Sequence, residues 1–179
     1  MKILEDLNSA CRTRGLSYVL VGGHAIVARG YARTTRDLDL AVPAAQRDAW
    51  RDVFLQLGYT VYHEQAGFMQ FTVPDLGGWP VDLMVVDSTT FSGLEAESES
   101  IRLGGEAVPV ASVTHLIFMK LHSMKTGPTD RFAKDLADVL ELLRLMKLDP
   151  RSPEFQAMCE KYGDEDVQER ITEFWGKRS

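Results

Sequence analysis

The stretch Tyr18–Val42, YVLVGGHAIVARGYARTTRDLDLAV, limits what this chain can fold into more than any other. It opens with a short apolar run ending in Gly22-Gly23, and residues His24 to Gly30 are rich in alanine and branched aliphatics. That order predicts a strand, a glycine turn and a short buried helix. The polar, basic segment YARTTR follows. In DLDLAV, alternation then sends Asp37 and Asp39 to one face of a strand and Leu38 and Leu40 to the other. Two carboxylates side by side repel, and oxygen-liganded magnesium is a common way to offset that cost. An edge strand with both acids in solvent satisfies the same alternation. The glycine turn favours the metal, because backbone N–H groups at a helix start can hold a phosphate beside such an ion.

A third acid joins them from later in the chain. Asp82 lies within WPVDLMVVD, a strand pattern dominated by Val81, Leu83, Val85 and Val86. A charge among such neighbours either faces outward from a half-exposed strand or meets a metal or a base. Three carboxylates from two strands are enough for the metal clamps used in phosphoryl and nucleotidyl transfer.

The remaining patterns give an α/β half to about residue 111 and an all-helical half from 112 to 179. Apolar residues recur at helical spacing over Ile3–Arg14 and, through Trp50, Val53, Phe54 and Leu57, over Ala44–Gly58. TVYHE and GFMQFTVP read as two strands around a turn at Gln65–Gly67, with another turn at Asp75–Gly78. The polar, acidic stretch Thr89–Glu99 reads as a loop. IRLGGEAVPV reads as a hairpin turning at Gly104-Gly105. Ser112 is placed to cap a helix through Lys125, GPTD breaks it, and Arg131–Met146 forms a second one with Phe132, Leu136, Val139, Leu140 and Leu143 buried. Two further helices are predicted over Pro153–Tyr162 and Glu165–Trp175. The fold class is therefore α/β (α+β): a mixed sheet flanked by helices, a C-terminal helical part packed on it, and a cleft where the two parts meet.

Charge is unevenly spread. Residues 1–36 carry six basic side chains against two acids, whereas residues 37–99 carry eleven acids against two arginines, a net of −9. That distribution suits an acidic metal site beside cationic groups for phosphates, and equally a solvated charged surface. No apolar run approaches the roughly eighteen residues of a membrane span, and MKILEDLNSACRTRG carries acids where a signal peptide is apolar. A cytoplasmic protein without membrane partners is expected. Cys11 and Cys159 are too few for a disulfide framework or a zinc site.

GGHAIVARGYARTTRDLDL, followed by PVDLMVV, resembles the nucleotidyltransferase fold of the DNA polymerase β superfamily. The run MKLHSMKTGPTDRFAKDLADVLELL is similar to the helical segment of AbiEii-like nucleotidyltransferases, the toxins of type IV toxin-antitoxin systems. The resemblance covers roughly Tyr18 to Leu143. It implies that Asp37 and Asp39 bind magnesium, as two ions, with Asp82 as a further ligand or as the general base. It also implies that Gly22 and Gly23 face the NTP triphosphate, that Lys120 stabilises charge on the nucleotide phosphates, and that Asp135 orients Lys120 or the base. Two departures stand out. The superfamily's Gly-Ser is Gly22-Gly23 here, and Arg36 replaces the serine that many toxins carry before the acid pair, which adds phosphate affinity or covers the strand. The implied reaction moves a nucleoside monophosphate to a hydroxyl, on tRNA or another RNA or on a protein, with a cognate antitoxin as partner. Aminoglycoside and lincosamide transferases share the glycine-DxD signature, and a catalytically silent nucleotide-binding module is the alternative outside enzymes.

His24 reads as a structural or phosphate-proximal group rather than a catalytic base, and His115 and His122 as surface or packing residues. Arg131 and Lys134 read as salt-bridge partners of Asp130, Asp135 and Asp138, with an RNA-facing cationic edge as the alternative.

Overall fold

The computed structural model describes residues 2–73 and 78–177 and divides them into two compact units, one ending at Ser112 and the other beginning at Val113. The first contains the helices α1 (Lys2–Arg14), α2 (Gly22–Ala28), α3 (Arg47–Gln56) and α4 (Ser88–Ala96). Its strands are β1 (Val19–Leu20), β2 (Leu38–Pro43), β3 (Thr60–Gln65), β4 (Phe68–Thr72), β5 (Val81–Val86), β6 (Glu99–Leu103) and β7 (Glu106–Val110). The seven strands form one mixed sheet in the order β3-β4-β5-β2-β1-β7-β6. Strand β2 runs parallel to β5 and antiparallel to β1, so both acid-bearing strands lie inside the sheet.

Alternation decides which face each side chain takes. Leu38, Leu40, Val81, Leu83, Met69 and Phe71 are all at most 1% exposed. On that face α3 contributes Trp50 and Phe54, and the Phe54 ring lies 4.8 Å from that of Phe71. Trp50 also donates its indole N–H to Ser17 O at 3.0 Å, which satisfies the one polar atom that its burial takes from water. Gly104 and Gly105 both have positive φ, 57° and 93°, as a two-residue hairpin turn of the primed type requires. Most of the turn expected at Asp75–Gly78 lies outside the described residues.

One expected loop is a helix. Thr89–Glu99 falls largely within α4, because Asp87 accepts the backbone N–H groups of Thr89 and Thr90 and thereby supplies the missing N-terminal acceptor. Phe91 and Leu94, three residues apart, then bury one side of an otherwise polar helix. The Thr90 hydroxyl and these backbone bonds hold the Asp87 carboxyl below the usual carboxylate range.

The second unit is all helical: α5 (Val113–Thr126), α6 (Phe132–Met146), α7 (Pro153–Tyr162) and α8 (Glu165–Gly176). The α7 start has Ser152 as cap and Pro153 at its first turn, and Asp164 caps α8. No helix among the described residues is long and apolar enough to cross a membrane.

Candidate active site

Asp39 and Asp82 are opposed in register on the parallel pair β2 and β5, and Gln70 is opposed to Asp82 on β4. Because the residues flanking each of them point into the core, pleating places Asp39, Asp82 and Gln70 in one row on the other face of the sheet. Asp37 stands two residues before Asp39 and shares its parity. Carboxylate oxygens of Asp37, Asp39 and Asp82 all lie within 4.8 Å of one another, and the three residues are half-buried. A solvated edge strand, which the alternation alone had left open, is thus replaced by an interior strand whose acids converge.

The glycine pair is packed against these acids. Val21 N–H donates to Asp39 O at 3.0 Å, and Gly23 N–H donates to Asp39 Oδ2 at 3.2 Å. Gly22 has φ +59°, a conformation that side chains disfavour, and a Cβ built there would overlap the Asp39 carboxylate. A Cβ on Gly23 would overlap Thr35 Oγ1 and come within 2.9 Å of Arg33 Nη2. Thr35 Oγ1 in turn lies 3.1 Å from Asp37 Oδ1, and Gln70 Nε2 donates to Asp82 Oδ1 at 3.1 Å. The far end of α2 is fixed as well. Arg29 donates to Ala111 O and Val110 O, each at 2.9 Å, and pairs with Glu99 at 2.9 Å.

Three convergent carboxylates fit a hard divalent cation that takes oxygen ligands. Opposite ligands on an octahedral ion at about 2.1 Å stand about 4.2 Å apart, so the observed spread is close to that of oxygens sharing one ion.

The other residues read from the sequence have different surroundings. Arg36 is exposed, whereas Arg33 and Thr35, which share the parity of Asp37, are half-buried beside Gly23. His24 packs edge-on against Trp79, with ring centroids 4.4 Å apart, and its Nε2 is buried without a hydrogen-bond partner. Burial lowers the His24 pKa, Asp37 opposes that shift and Arg33 adds to it. This suits a neutral packing imidazole.

In the helical unit Lys120 is 9% exposed and binds Asp135 Oδ1 at 2.5 Å and Asp138 Oδ2 at 2.9 Å. Ser123 Oγ donates to Asp135 Oδ2 at 2.7 Å. Asp135 and Asp138 are therefore buried partners of Lys120, while Arg131 and Lys134 are exposed. The two thiols are free, and burial pushes Cys11 up to about 11 and Cys159 up to about 12.

Thr35, Arg33 and Gln70 were not singled out by the sequence. Extending the odd-numbered alternation of Asp37 and Asp39 back through the preceding loop finds the first two. Gln70 needs the β4–β5 register, which no local pattern carries.

The sequence profile of the nucleotidyl transferase AbiEii toxin family, type IV toxin-antitoxin system, matches residues 5–174. No curated protein sequence matches the chain. Among solved structures, ANT(2″)-Ia in complex with adenylyl-2″-tobramycin is 20% identical, with 99% of this chain and 97% of that one covered and a TM-score of 0.63. An antigenic nucleotidyltransferase-like protein from Paracoccidioides brasiliensis is 17% identical over 89% and 85% of the two chains, with a TM-score of 0.57. The lincosamide antibiotic adenylyltransferase LnuA with lincomycin bound is 15% identical over 79% and 96%, with a TM-score of 0.52. At these identities the likeness is one of fold.

Proposed function

The chain belongs to the AbiEii nucleotidyltransferase family, and from that premise we propose that it transfers a nucleoside monophosphate from an NTP to a hydroxyl of an RNA, with tRNA as the first candidate. The observation that carries this reading is the convergence of Asp37, Asp39 and Asp82 within 4.8 Å on one face of the sheet.

Asp37 and Asp39 hold divalent metal, magnesium in this reading, and Asp82 is a third ligand or the base for the acceptor. A cation bound there supplies charge neutralisation and alignment for the triphosphate. The acceptor oxygen bonds to the α-phosphorus, the bond from that phosphorus to the bridging oxygen breaks, and pyrophosphate leaves with the bonding pair. The hydroxyl proton passes to a carboxylate, for which Asp82 is the candidate. Gly22 and Gly23 let Asp39 and Thr35 pack directly against the turn, which is the candidate neighbour of the triphosphate. Arg36 is a further candidate contact for phosphate. Lys120 is committed to Asp135 and Asp138 within the helical unit, and no phosphate contact is assigned to it. Type IV membership brings an antitoxin as the expected protein partner.

One observation favours a second acceptor class. The net charge of −9 over residues 37–99, eleven acids against two arginines, suits a cationic small molecule better than a polyanion. Incubation with α-labelled NTPs and magnesium, with bulk tRNA in one arm and aminoglycosides in the other, separates the readings. Label on RNA is expected. Label on the drug alone replaces the acceptor, and nucleotide binding with no transfer to either replaces the reaction with a binding role.

A further inference from the structure

Three carboxylates pushed together by the sheet repel one another, and each side chain relieves the repulsion by turning away. Something must therefore hold them in convergence before any ion arrives. Gly23 N–H does so for Asp39, at 3.2 Å from Oδ2. Two side chains stand in the same relation to the other acids. Thr35 Oγ1 is 3.1 Å from Asp37 Oδ1, and Gln70 Nε2 is 3.1 Å from Asp82 Oδ1.

We propose that Thr35 and Gln70 are positioning residues of the carboxylate site, each fixing the rotamer of one acid with a neutral hydrogen-bond donor. This rests on the metal-site reading above. Neutral donors suit the task, since an ammonium in either place would cancel charge that a bound cation needs. Partners that orient ligating carboxylates in this way set metal affinity without touching the metal.

The placement of both residues is specific. The space where a side chain on residue 23 would begin is filled by Oγ1 and Cβ of Thr35, so a glycine there is what lets the threonine reach Asp37. Gln70 is in register with Asp82, and its neighbours Met69 and Phe71 are buried at 0% and 1% exposure. Its backbone is thereby anchored, and its carboxamide lies along the row of acids. Thr35 sits in the loop before β2, so the threonine and the glutamine approach the triad from different segments.

The test is a calorimetric titration of the full chain with Mn2+ alone, comparing wild type with Thr35→Val, Thr35→Ser and Gln70→Met. Valine has the shape of threonine without the donor, and methionine approximates the length of glutamine. Thr35→Val and Gln70→Met are expected to weaken Mn2+ binding by roughly 10- to 100-fold, the range seen when such orienting partners are lost, while Thr35→Ser stays near wild type. Thermal midpoints close to wild type show that the variants are folded, and if one variant fails to fold the other carries the test. Wild-type affinity in Thr35→Val and Gln70→Met overturns the positioning role and leaves the metal site standing. Equal weakening in Thr35→Ser and Thr35→Val overturns it for Thr35. Absence of Mn2+ binding by wild type sinks the metal-site reading and this inference with it.

Discussion

Asp135 and Asp138 of the helical unit are 1% and 2% exposed and share the ammonium of Lys120, whereas Asp37, Asp39 and Asp82 of the sheet unit are only half-buried and converge on one another. The residue type is the same, and the solutions to its charge differ. Burial in the helices makes solvation unavailable, so a cation is built into the chain. Along the sheet, water still reaches the acids, and a mobile cation can exchange with it. A closed ion cluster ties two helices together; an open one has capacity for a ligand. Burial and partner chemistry, more than the count of acids, tell which cluster is a site.

Breaking the closed cluster has the largest expected effect on stability. Lys120→Met leaves two buried carboxylates without that ammonium, and denaturant unfolding should show a loss of about 3–5 kcal/mol. Replacing Lys120, Asp135 and Asp138 together by apolar residues should return most of it. A Lys120→Met protein as stable as wild type would mean that the helical acids are as open to water as those of the sheet.

Gly22→Ala attacks the open cluster through its scaffold. Both the positive φ and the overlap with Asp39 count against it, for a loss of about 1–3 kcal/mol. Gly15→Ala is the control, since Gly15 has φ +66° with open space around it and meets the backbone cost alone. Equal losses in the two variants would remove the claim that Gly22 is fitted to Asp39.

The smallest effect has the opposite sign. Asp37→Asn keeps an acceptor for Thr35 and removes one of three like charges, so without divalent metal it should stabilise the protein by about 0.5 kcal/mol, the scale of a cross-strand charge pair. High salt should shrink the gain by screening, and Mg2+ should reverse it by stabilising wild type. A loss of stability in metal-free buffer would show that repulsion within the triad is not what the open cluster stores.

The two clusters were also unequally legible in the sequence. Alternation in DLDLAV located Asp37 and Asp39 on one face, and the apolar neighbours of Asp82 marked it as unusual, because both features are local. Their meeting depends on the register of β2 with β5, and Gln70 on that of β4 with β5, which are set by the whole sheet. Helix α4 was hidden because two apolar residues and a capping aspartate make a faint pattern in a polar stretch. Resemblance, rather than spacing, drew attention to Lys120 and Asp135. Local pattern left Asp138 as a partner for Arg131 or Lys134, since the packing of α5 on α6 lies beyond its reach.

The most direct measurement is Mg2+-dependent transfer of label from an α-labelled NTP by Asp39→Asn beside wild type. With Asp39 as a metal ligand, the variant should be slower by about 100-fold or more while its unfolding midpoint stays close to that of wild type. Transfer by Asp39→Asn at the wild-type rate would contradict the assignment of the triad as the metal site.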